Sequence, residues 1–419
     1  MRLAAACLTV LWAFAQAQIP TNILLAPGPL LTTTGLDLVE GNNGAPTYGS
    51  PKPAIFASAV NDLGLKLLAQ ARKSDKKGNL VFSPLSLSAA FSLLHFGAKG
   101  EAKKNLDWVF GFQDGIVPGL IKAKAEEYKY NGDQSVALAN RAFFQEDIPI
   151  KSSYKNAVGE SNIDKLNFSK NPEGSREAIN LYVAATTNGL IKEGVPPGAI
   201  DSSTVFALVN AVFFQGAWES PFDKKNTVTG KFRGTKGPQD VEYMGDEGSI
   251  DILWRNVPEL NAQAMELPYA GGQFSMFIVL PDTENGWIAA EKNLARVLTK
   301  GLLFNGATSK PVSKLKIPKF DLDGQLPNLK QHLQDMGLQS LFSGADLSGI
   351  SGKPLSLSEI VHKAKVKIDE EGTTAAAVSS ALFQKSILTD EFVVDRPFLF
   401  FIVEKTEGTI WFQGTVTHF

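Results

Sequence analysis

Asp369-Glu370-Glu371-Gly372-Thr373-Thr374-Ala375-Ala376-Ala377-Val378-Ser379-Ser380-Ala381 decides the reading of this chain. It leads into Leu382-Phe383-Gln384-Lys385-Ser386-Ile387-Leu388, a run that reads as protease bait. The stretch is small, β-capable and free of proline. Side chains this short add little to a core. With period two, Thr373, Ala375, Ala377, Ser379 and Ala381 share one face. That face could slide between two existing strands without prying a core apart. Gly372 stands where the chain needs backbone freedom to turn. On composition alone the stretch also reads as an alanine-rich helix turn or a linker, because propensity is a weak prior.

The flanks separate these readings. Val361 to Ile368 alternate apolar and polar residues as a strand does. Asp395 to Val403 and Gly408 to Val416 are strongly apolar strands with a turn between them. A small-residue segment thus hangs between strands near the C-terminus. These words resemble the hinge, reactive loop and C-terminal strands of the serpin family.

Other words carry the resemblance upstream. Asn79-Leu80-Val81-Phe82-Ser83-Pro84-Leu85-Ser86 with Gly97-Ala98-Lys99-Gly100 resembles the family's early strand-to-helix segment. Asn180, Thr187, Gly189 and Ile191 fit a helix end. Asn210 to Trp218 fit the strand with the sheet-opening tryptophan, Trp218. Phe222, Thr227 and Phe232 keep the family spacing. Glu266 to Tyr269, Leu280-Pro281, Ile317 to Phe320 and Met336 to Leu338 follow in order. The resemblance covers about residues 55 to 419. Tyr182, Gln215 and the proline-free C-terminus depart from the family pattern, and none of them touches the hinge.

The resemblance implies an α+β fold. A large central β-sheet, two further sheets and about eight to nine helices would carry an exposed reactive loop near the C-terminus. It also implies a mechanism. A serine protease attacks the loop and forms an acyl-enzyme. The freed hinge then inserts as a new strand, dragging the protease and distorting its active site. Losing one oxyanion donor alone slows such chemistry by roughly a hundredfold to a thousandfold. The hinge would be Glu370, Glu371, Gly372, Thr373, Thr374, Ala375, Ala376, Ala377 and Val378. Trp218 and His362 would belong to the sheet-opening region. Family spacing from Gly372 puts the cut between Ser386 and Ile387. A loop one residue shorter puts it between Lys385 and Ser386. Lysine suits the acidic pocket of trypsin-like proteases; serine suits a small elastase-like pocket. Chemistry favours Lys385 and spacing favours Ser386. The alternative within the family is a non-inhibitory carrier or binding protein. Outside it, the alternative is a generic extracellular binding module.

Composition fits a secreted globular protein. The chain has 419 residues, 44% hydrophobic and 20% charged. Met1 to Ala17 read as a signal peptide: Arg2, an apolar run from Leu3 to Phe14, then Ala15-Gln16-Ala17. The apolar run is too short to span a bilayer. Residues 18–52, rich in Gly and Pro, read as a flexible extension. Residues 53–419 read as one domain, opening with a helix from Ala54 to Arg72. The only cysteine, Cys7, lies in the expected signal peptide, so the mature chain would carry no thiol and no disulfide. Asn167-Phe168-Ser169 is a glycosylation sequon.

Function classes are also excluded. No Gly-x-Ser-x-Gly elbow presents a nucleophile. His95 reads as a packed or capping residue, and His362 as a structural one. No His-x-x-x-His pair or cysteine cluster offers a metal site, and no Gly-rich loop cradles phosphate. An enzyme is not expected, nor is a cofactor. The net charge of -2 argues against nucleic acid. Lysines cluster at Lys66, Arg72, Lys73, Lys76 and Lys77, and at Lys99, Lys103 and Lys104. They form either a solvated face or a site for a heparin-like glycosaminoglycan. The expected partner is an extracellular serine protease, met by a monomer.

Overall fold

Ser83 separates a strand from a helix. Its hydroxyl oxygen accepts from the Ser86 amide, and Pro84 follows at the first helical position. Both are N-terminal signals: the cap satisfies a free donor and proline needs none. Helix α2 (Pro84–Gly97) is buried almost all round, as expected of a helix apolar on every face. A computed structural model of the chain describes residues 51–112, 134–372 and 390–419. The expected signal peptide and most of the expected extension lie outside these residues. So do Thr373, Thr374, Ala375, Ala376, Ala377 and Val378, and the bond candidates Lys385, Ser386 and Ile387.

Seven α-helices occur among the described residues. Helix α1 (Pro51–Ser74) begins two residues before the expected domain boundary, with Pro51 and Pro53 in its first turn, where proline costs no hydrogen bond. Helix α3 (Gly100–Phe110) ends at Gly111, whose φ of +66° is left-handed. The others are α4 (Ser152–Val158), α5 (Pro172–Thr186), α6 (Gly286–Leu298) and α7 (Leu329–Leu333).

The strands form two sheets. The larger runs β1 (Leu80–Phe82), β14 (Thr409–Val416), β13 (Phe398–Glu404), β8 (Phe274–Pro281), β7 (Ala262–Pro268), β6 (Gly237–Val257), β9 (Thr308–Pro318) and β12 (Glu391–Val393). Strand β5 (Val228–Gly234) pairs off this path with β6. The two further sheets expected from sequence are thus hydrogen-bonded into one. The cause is β6, whose 21 residues pair with β5 near one end and β7 near the other, while β9 runs alongside.

The second sheet positions the site. Its order is β10 (Phe320–Gln325), β11 (Glu359–Ile368), β4 (Phe206–Gly216), β2 (Gln134–Gln145) and β3 (Ile163–Leu166). Strands β4 and β11 are parallel neighbours, although about 150 residues separate them in the chain. The faces of β4 alternate between two cores. Phe206, Leu208, Val212 and Phe214 join the main core with α2. Ala207, Val209 and Ala211 join a smaller one under α5, with Phe143, Ile179 and Val183. At the end of α5, Thr187 Oγ1 donates to Val183 O at 2.8 Å and accepts from the Ile191 amide at 3.1 Å. This is the helix end that Asn180, Thr187, Gly189 and Ile191 signal in the sequence.

Candidate functional site: the root of the loop

The ladder between β4 and β11 stops early. It runs from Ala207–Glu359 to Phe213–Lys365. Both strands continue three residues further, to Gly216 and Ile368. Beyond Ile368 the chain reverses. Asp369 and Gly372 exchange backbone hydrogen bonds, each at 3.1 Å. Gly372 then lies antiparallel to Ala217, just past the end of β4. At Gly372 the chain therefore points back along β4, past the last β4–β11 pair.

Trp218 organises this reversal. Its ring is 2% exposed and stacks on Tyr269 with centroids 4.5 Å apart. The indole Nε1 donates to Asp369 O at 3.0 Å. Its backbone amide donates to Glu371 O at 3.1 Å, and the Phe222 amide donates to Glu370 O at 2.8 Å. The carbonyls of Asp369, Glu370 and Glu371 are thus satisfied by the segment that follows β4.

Glu370 carries the electrostatics. Its side chain is almost fully buried, yet Lys319 Nζ lies 3.0 Å from its carboxylate and Thr227 Oγ1 donates to it. Lys319 also meets Glu242 at 3.3 Å. Burial pushes the Glu370 carboxyl up, but the hydrogen bonds from Thr227 and Lys319 outweigh it, so it titrates below an ordinary glutamate. An open cleft of about 670 Å³ lies beside this pair, lined by Lys224, Lys319, Phe320, Lys367, Ile368 and Asp369 among others.

His362 lies further down β11, among buried polar groups between sheet and α2. Its Nε2 accepts from the Ser83 amide at 3.2 Å, which leaves Nδ1 to donate to Asn210 Oδ1. Ser86 Oγ also donates to Asn210 Oδ1, at 3.0 Å, and Asn210 Nδ2 donates to Ser86 O at 3.0 Å and to Asn140 Oδ1. Burial pushes the imidazole down to about 3. The group is neutral, and both ring nitrogens are partnered. His95 is likewise packed, against Asp107 at 2.6 Å.

The structure therefore brings Glu370, Glu371, Gly372 and Trp218 together, and places His362 apart from them in the same sheet. Asn167 stands elsewhere, in the turn after β3; its Nδ2 donates to Glu146 at 2.8 Å. The basic cluster is partly spent: Lys66 pairs with Asp62 at 2.7 Å and Arg72 with Glu291 at 2.9 Å. Sequence reasoning did not single out Lys319, Lys224, Asn210 or Ser86 as site residues. Only proximity in the fold identifies them. No helix among the described residues is long and apolar enough to cross a membrane.

A family model described as serpin (serine protease inhibitor) matches residues 58–419. Serpin B12 of Homo sapiens is 33% identical over 393 residues, covering 84% of this chain and 96% of its own length. Leukocyte elastase inhibitor A of Rattus norvegicus is 31% identical over 376 residues, covering 86% and 98%. Among solved structures, uncleaved ovalbumin aligns with a TM-score of 0.78 at 27% identity, covering 87% of this chain and 99% of that one.

Proposed function

We propose, from the premise that this chain belongs to the serpin family, that it is a secreted suicide-substrate inhibitor of trypsin-like or elastase-like serine proteases. One observation carries the reading. Gly372 already lies antiparallel to Ala217, at the point where β4 and β11 part. Extending that register sets Thr373, Ala375 and Ala377 opposite Gly216, Phe214 and Val212. Phe214 and Val212 face the main core, so the small face of the hinge is the one that would be buried. Small side chains suit that place, because a buried charge or a proline there is costly.

Insertion then races deacylation. A protease serine attacks the carbonyl before the cut and the downstream peptide leaves. The hinge zips between β4 and β11 before water reaches the acyl bond. The bond is proposed at Lys385–Ser386, with Ser386–Ile387 as the spacing-based alternative. Secretion rests on the Met1 to Ala17 reading, and glycosylation at Asn167 would follow from it. A sulfated polysaccharide would find Lys73, Lys76 and Lys77 at one end of α1, and Lys99, Lys103 and Lys104 on and beside α3; all six are exposed.

Trypsin and pancreatic elastase mixed with the mature protein test the reading. A covalent complex that survives SDS is expected with at least one of them. Clean cleavage by both, with no complex, contradicts it. Mass spectrometry of the released C-terminal peptide identifies the bond.

A further inference from the structure

Three consecutive carboxylates stand at the chain reversal, and each meets a different lysine. Lys367 Nζ lies 3.3 Å from Asp369, Lys319 Nζ 3.0 Å from Glu370, and Lys224 Nζ 2.6 Å from Glu371. The three lysines come from different places: β11 itself, the link between β9 and β10, and the short 3-10 turn at Lys224–Asn226. The turn is closed internally as well. The Glu371 amide donates to Asp369 Oδ1 at 3.1 Å, beside the paired bonds between Asp369 and Gly372.

This matters for the kinetics of strand insertion. A hairpin must close its turn before its strands can zip, because loop entropy is lost before ladder bonds repay it. Here the reversal exists before the loop is cut. The next pairing, residue 373 with Gly216, needs no new turn. Lys319 differs from the other two lysines: its partner is buried and it also binds Glu242, so its loss disturbs the fold. Lys224 and Lys367 hold partners nearer the surface.

We infer that Lys224 and Lys367 are positioning residues that pin Glu371 and Asp369, hold the hinge turn closed, and so set how fast the freed strand enters the sheet. The inference rests on the trap reading above. Exposed ion pairs are weak, and salt screens them. The expected effect is correspondingly modest, but a race is sensitive to modest changes in rate.

The test uses the full chain. The loop is nicked with saturating thermolysin in a stopped-flow instrument, and insertion is followed by tryptophan emission. Lys224→Gln and Lys367→Gln should each slow insertion by about 2- to 5-fold, while the uncut variants melt with the wild type. Lys224→Glu should slow it further, and Lys224→Glu with Glu371→Lys should restore the wild-type rate. Raising salt from 0.05 to about 0.5 M should slow the wild type, and slow a variant carrying both Lys224→Gln and Lys367→Gln less. Equal rates in all variants overturn the inference, as does a charge swap that fails to recover. If the nicked wild type inserts no strand at all, the trap reading fails and this inference with it.

Discussion

Gly372 packs against the carbonyl oxygen of Gly216 with no room for a side chain. A β-carbon on Gly372 would collide with that oxygen and lie 2.6 Å from the Trp218 nitrogen. Its φ of +109° is also one that L-residues rarely adopt. Gly372→Ala should therefore destabilise the intact protein by about 1–3 kcal/mol and detach the hinge from Ala217. Urea unfolding measures the first effect. The second appears as cleaved, untrapped protein on an SDS gel.

The two faces of the hinge should differ. Ala377→Arg would put a charge opposite Val212, against the main core, and should convert the protein into a plain substrate. Thr374→Glu would fall opposite Gln215, on the outer face, and should retain most trapping. The number of inhibitor molecules consumed per protease trapped compares them directly.

Glu370 depends on Lys319. Lys319→Gln leaves a nearly buried carboxylate without its cation. Breaking a buried pair costs about 3–5 kcal/mol, and the partial exposure of Lys319 brings the expected loss to about 2–3 kcal/mol. Adding Glu370→Gln should recover part of it. Chemical denaturation of both single variants and the double variant gives the coupling.

His362 makes stability depend on pH. Burial holds its imidazole at about 3, against 6.5 for an ordinary histidine. The unfolded chain takes up a proton below about pH 6.5 that the folded chain refuses. Stability tied to His362 is whole above pH 6.5 and is lost as pH falls towards 3. By pH 4.5 the loss is about 2–3 kcal/mol. His95 and His332 are also held low by burial, so the wild-type slope includes them. Comparison with His362→Gln isolates the single group: the variant should lose less stability between pH 7 and pH 4.5.

Local pattern made much of this legible in the sequence. Alternation marks β11 and the apolar runs mark β13 and β14, while the strand-to-helix junction from Asn79 to Ser86 is carried by the family resemblance. Trp218 follows β4, and the segment from Glu370 to Gly372 turns back beside it after β11. Other parts were hidden for a physical reason. Strands β4 and β11 are parallel partners about 150 residues apart, and periodicity does not encode which strand lies beside which. Lys319 belongs to a word that carries the resemblance, but its partner Glu370, 51 residues on, shows only in the fold. Asn210 sits in an apolar strand and gains meaning only from Ser86 and His362. Strand β6 runs 21 residues straight through Gly245 and Gly248, and glycine inside a strand weakens the local signal for one.

Heating intact and loop-cleaved protein side by side tests the central claim most directly. If the freed segment fills the space between β4 and β11, the cleaved form gains a full set of ladder bonds and melts well above the intact form. An unchanged melting temperature, with the Phe213–Lys365 end of the ladder exchanging hydrogen as before, would contradict the account.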